Sequence, residues 1–80
     1  MIVKVHLFAM LKERLGESIE LDVPEPVSVG ALLRRFLERH PEFRAMERSL
    51  HVAVDQDYAR ADEPIRPGAE VALFPPVSGG

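Results

Sequence analysis

Apolar and polar residues alternate from the second position of the chain. In IVKVHLF (residues 2–8), Val3, Val5 and Leu7 fall on one side, and Lys4, His6 and Phe8 on the other. That period of two predicts a strand with one buried and one open face. AMLKERLG follows, a short helical turn stopped by Gly16. SIELDV (18–23) alternates again, with Ile19, Leu21 and Val23 set against Glu20 and Asp22. It predicts a second strand, antiparallel to the first and ended by Pro24 and Pro26.

The period then lengthens. Val29, Leu32, Leu33, Phe36 and Leu37 recur at helical spacing and form one stripe. Ser28 is placed to cap this helix, Arg34, Arg35, Glu38 and Arg39 to face solvent, and Pro41 to end it. Residues 42–48 are expected to add a further helical turn. Val52 and Val54 then alternate with His51 and Ala53 in a third strand. Asp55-Gln56-Asp57 reads as a turn, Tyr58-Ala59 as a short edge strand, and 62–68 as a loop. Val71 and Leu73 alternate with Ala72 and Phe74 in a last strand. Pro75 and Pro76 stop it, because proline has no N–H to donate.

The order is β-β-α-β-(β)-β with one long helix. A single helix covers one face of a small mixed sheet, which predicts a two-layer α+β domain. The uncovered face then carries His6, Phe8, His51, Ala53, Ala72 and Phe74. Two phenylalanines among small residues make an apolar patch of the kind that marks a partner surface. The alternative is that Phe8, at a strand end, tucks under a loop.

Composition narrows the chemistry. Eighty residues make one domain. The chain has no cysteine, which excludes disulfides, thiolate metal sites and a persulfide carried on this chain. Its net charge is −3 and no basic block stands out, so nucleic acid is not the expected partner. The apolar opening is interrupted by Lys4 and His6 and has neither a basic leader nor a cleavage site. It is too short to span a bilayer, so a cytoplasmic protein without membrane contact is expected. No metal site is expected, because no close-spaced ligands accompany His6 and His51. The serines lack partners for a triad, and Gly16, Gly30 and Gly68 form no phosphate-cradling loop.

The ending FPPVSGG remains. It reads either as a frayed end or as a reactive one. Two glycines pass a narrow channel with no Cβ to clash, and the prolines stiffen the approach. A carboxylate is a poor electrophile, so a reactive terminus needs activation, for instance as an acyl-adenylate. With no cysteine and no nucleotide-binding motif here, ATP chemistry and sulfur would come from partners.

Over all 80 residues the chain resembles the small-subunit family of molybdopterin synthase, a group of ubiquitin-like sulfur carriers. The resemblance rests on VKVHLFAMLKERLG, SVGALLRRFL, AVDQDYARADEPIRPGAEVALF and, above all, FPPVSGG. It implies a ubiquitin-like β-grasp: a mixed sheet of four to five strands, one main helix on one face, a domain over 1–75 and a flexible tail over 76–80. It implies that Gly80 is adenylated by an E1-like adenylyltransferase using Mg-ATP and then converted to a thiocarboxylate. The sulfur would come from a cysteine desulfurase or rhodanese system and pass to cyclic pyranopterin monophosphate. No cofactor is expected on this chain itself. The implied partner is the large synthase subunit, in a heterotetramer whose catalytic side chains lie on that subunit. Pro75, Pro76, Val77, Ser78 and Gly79 would enter it with Gly80. Phe8, Lys12, Tyr58 and Phe74 match interface positions, with tyrosine where an apolar residue is frequent and Lys12 where arginine also occurs. Carriers for thiamine thiazole synthesis or tRNA thiolation, and protein modifiers, share the Gly-Gly end. The preceding Phe-Pro-Pro-Val is less expected of them.

Overall fold

The computed structural model describes residues 1–76. Strand β1 (Ile2–Leu7) buries Val3, Val5 and Leu7 and turns Lys4 and His6 outward. Helix α1 (Ala9–Leu15) follows and ends at Gly16, whose φ of 100° requires glycine's freedom. Strand β2 (Ser18–Asp22) returns antiparallel to β1, with Val3 opposite Leu21 and Val5 opposite Ile19. Strands β4 (His51–Val54), β5 (Asp57–Tyr58) and β7 (Val71–Phe74) complete a sheet ordered β2-β1-β7-β4-β5. The first and last strands are therefore adjacent at its centre, and they run parallel. A parallel pair needs a crossover, and helix α2 (Val29–Arg39) lies within it.

Helix α2 forms where the apolar stripe and the cap coincide. The Ser28 hydroxyl accepts the Ala31 N–H at 3.1 Å. Val29, Leu32, Phe36 and Leu37 are buried against Val5, Leu7, Val52, Val71 and Leu73 of the sheet, while Leu33 is half-buried at the margin. Each such side chain contributes about 1.5–3 kcal/mol on leaving water. Leu11 of α1 closes the core at one end. A 3-10 segment (Pro41–Ser49) returns Phe43 to the core, stacked on Phe36 at 5.9 Å between centroids. It is longer than the single turn expected over 42–48. Among the described residues no polar or charged side chain is buried.

Three further features depart from expectation. The loop over 62–68 contains a strand, β6 (Pro64–Ile65), which pairs antiparallel with β3 (Val27–Ser28) in a separate two-stranded sheet. The same loop serves α2: Val29 N–H donates to Glu63 O and Gly30 N–H to Ala61 O, both at 2.8 Å. Two first-turn donors that lack partners within the helix are thereby satisfied. Gly30 eases the approach: a Cβ there would sit 3.2 Å from Ala61 O, closer than ordinary van der Waals contact. Second, the edge strand is Asp57–Tyr58 rather than Tyr58–Ala59. Asp55 and Gln56 both take positive φ (52° and 75°), giving a two-residue hairpin turn that sets Asp57 opposite Val54. Third, Ala53 lies on the open face but is only 6% exposed, not outward in solvent. Its methyl group is too short to rise above its neighbours there.

Candidate functional site

The covered face of the sheet is filled by the core, so chemistry or recognition falls to the open face. The strand registers lay that face out in rows. One row holds Phe74 with His51 opposite it, and Phe8 stacks on Phe74. The next runs Ser18, His6, Ala72, Ala53 and Tyr58. A third begins with Glu20 opposite Lys4, and Glu70 continues it one residue before β7.

The aromatic residues form a connected strip. Phe8 and Phe74 stack with centroids 4.6 Å apart and rings inclined by 14°. Tyr58 meets Phe74 edge-on at 6.1 Å and His51 at 5.8 Å. Phe8 keeps 42% and Tyr58 75% of its surface exposed. Phe8 does not tuck under a loop. Its successor, Ala9, turns the chain sharply at φ 55°, a left-handed conformation that costs about 1–2 kcal/mol for a residue with a Cβ. The corner carries α1 away and leaves the Phe8 ring over Phe74. Between the rings lies a groove of about 490 Å³, floored by Ala53 and Ala72.

The structure brings Phe8, Tyr58 and Phe74 together on the open face, to which the alternation assigns Phe8 and Phe74. Lys12 is exposed on α1 and does not line the groove. His6 and His51 occupy different rows on β1 and β4, with β7 between them, and form no pair. Among the described residues no group of histidines and carboxylates is arranged to hold a metal ion. Pro75 is buried and Pro76 exposed, so packing of the described domain reaches Pro75. Val77, Ser78, Gly79 and Gly80 lie outside the described residues. Sequence reasoning missed Gln56 and Glu70, which also line the groove. Glu70 was within reach, since carrying the alternation of Phe74 and Ala72 back by two residues arrives at it. A shallow apolar groove with aromatic walls is suited to holding a partner.

The ThiS family model matches residues 5–80, nearly the whole chain. This chain belongs to the ThiS family. It is 36% identical to the molybdopterin synthase sulfur carrier subunit of Dictyostelium discoideum, over 96% of this chain and 94% of the relative. The human protein of the same name is 32% identical, over 98% and 93% of the two chains. Among solved structures, SAMP1 of Haloferax volcanii, a small archaeal modifier protein, superposes with a TM-score of 0.80. It is 31% identical, with both chains covered in full. The fold of this ThiS-family chain is accordingly the ubiquitin-like β-grasp. Among the described residues no helix is long and apolar enough to cross a membrane.

Proposed function

We propose that this chain is a sulfur carrier and the small subunit of a molybdopterin synthase, acting in the cytoplasm. The observation that carries the reading is the family match over residues 5–80, joined to an exposed aromatic groove that includes Phe74. The groove docks the large subunit, and the residues after Pro75 deliver the terminal carboxylate. Full-length relatives named as synthase sulfur carrier subunits support this assignment.

The chemistry follows from what a carboxylate needs. On an E1-like enzyme, the Gly80 carboxylate attacks the α-phosphate of Mg-ATP, releasing pyrophosphate and forming an acyl-adenylate. The terminal sulfur of the donor's persulfide displaces AMP to give an acyl disulfide, which a thiol reductant cleaves to leave the thiocarboxylate. In the large subunit, that sulfur attacks a side-chain carbon of cyclic pyranopterin monophosphate and replaces an oxygen there: at one carbon the bridging phosphate ester, which opens the cyclic phosphate, and at the other the keto oxygen, lost as water. Water then hydrolyses the acyl–sulfur bond and restores the carboxylate. Two such transfers furnish a dithiolene. This chain contributes the acyl group and the docking face; the large subunit contributes the catalytic side chains.

The test is reconstitution from thiocarboxylated chain, large subunit and pterin precursor. Dithiolene product is expected with the full chain and none after deletion of Gly79-Gly80. Product formation by the deleted chain would overturn the reading. The likeness to SAMP1 favours a second reading, in which a lysine amine attacks the same adenylate to form an isopeptide bond. Isopeptide conjugates formed by the unmodified chain with the activating enzyme and Mg-ATP, with no dithiolene in the reconstitution, would select it.

A further inference from the structure

Among the described residues, the groove has one strongly charged group in its lining. Besides the rings and alanines, the polar groups facing it are His6, Gln56 and Glu70. The backbone of Glu70 is held from both directions: its N–H donates to Asp55 Oδ1 at 3.0 Å, and its carbonyl accepts the Asp55 N–H at 2.8 Å. The Asp55 carboxylate is also engaged by Arg66 at 3.5 Å. The Glu70 side chain is exposed, and among the described residues its carboxylate makes no salt bridge. Lys4, beside it on β1, lies outside the groove and has Glu20 on its other flank.

A side chain seated in the groove therefore crosses small apolar residues, passes aromatic rings and ends at a carboxylate. Glu70 stands two residues from Ala72, about 7 Å along the strand. Aromatic faces attract cations, and a carboxylate accepts two parallel N–H bonds from a guanidinium. Arginine combines an apolar stem with a planar cation that meets both demands. Resting on the docking reading above, we propose that the groove receives an arginine side chain of the large subunit. Its methylenes cross Ala53 and Ala72, and its guanidinium pairs with Glu70.

The experiment is calorimetric titration of the large subunit with the wild-type chain, Glu70→Gln and Glu70→Lys, at low and at physiological salt. Losing the pair should weaken Glu70→Gln about tenfold and Glu70→Lys further. The affinity of the wild type should fall with salt, and that dependence should be shallower in Glu70→Gln. Both variants should melt with the wild type, because the exposed carboxylate contributes no contact to the fold. Wild-type affinity and an unchanged salt dependence in Glu70→Gln would overturn the arginine proposal while leaving docking intact. Failure of the wild-type chain to bind would instead overturn docking and the proposal together.

Discussion

Leu73 and Phe74 are neighbours in β7 that point to opposite faces of the sheet, so one substitution at each separates folding from docking. Leu73 is 2% exposed and packs beneath α2. Leu73→Ala should cost about 2–5 kcal/mol, the usual range for truncating a buried leucine. In a domain of this size each kcal/mol moves the melting temperature by roughly 4–8 °C. Phe74 instead stacks on Phe8 on the open face. Phe74→Asp gives up that stack and the edge-on contact with Tyr58, each worth about 0.5–1.5 kcal/mol beyond the area it covers, and leaves the core untouched. At the interface the cost is larger. An aromatic anchor contributes about 2 kcal/mol or more, roughly 30-fold in Kd. An unpaired carboxylate buried against the partner adds to that. Thermal melts and calorimetry against the large subunit read both effects. Phe74→Asp should stay folded and bind at least 30-fold more weakly, about the 2 kcal/mol above. A folded Phe74→Asp that binds as the wild type does would refute the docking role of the strip.

Two further substitutions probe how the scaffold is held. Ser28→Ala removes the acceptor of the Ala31 N–H and should cost about 1 kcal/mol, seen as a lower melting temperature; an unchanged melt would contradict the capping role. Gln56→Gly relieves a positive φ worth about 1–2 kcal/mol, against about 0.4–1 kcal/mol of added unfolded-state freedom. Its urea midpoint should therefore rise, and a fall would show that the turn is not strained there.

Much of this architecture is written in local patterns. The alternation of Val3, Val5 and Leu7, the stripe from Val29 to Leu37 and the serine before it each specify an element without knowledge of the rest of the chain. Phe8 and Phe74 were legible as open-face residues for the same reason. The β3–β6 pair was not, because two-residue strands carry no period and Val27 meets Ile65 only after the chain has folded. The edge strand was misplaced by one residue because the positive φ of Gln56, a residue not suited to it, hid the turn type. Ala53 was read as outward from alternation alone. Alternation assigns a face but does not measure how far neighbouring rings shield a methyl group. Glu70 was missed because it precedes the strand, although its side chain continues the strand's open-face series.

The central claim is that the terminal carboxylate is the working group and the fold presents it. Its most direct test is the intact mass of the chain after incubation with Mg-ATP, the activating enzyme and a sulfur donor. The account predicts a shift corresponding to one oxygen replaced by sulfur, dependent on ATP and absent when Gly80 is deleted. An unchanged mass, with the same enzyme shown to activate another carrier, would contradict it.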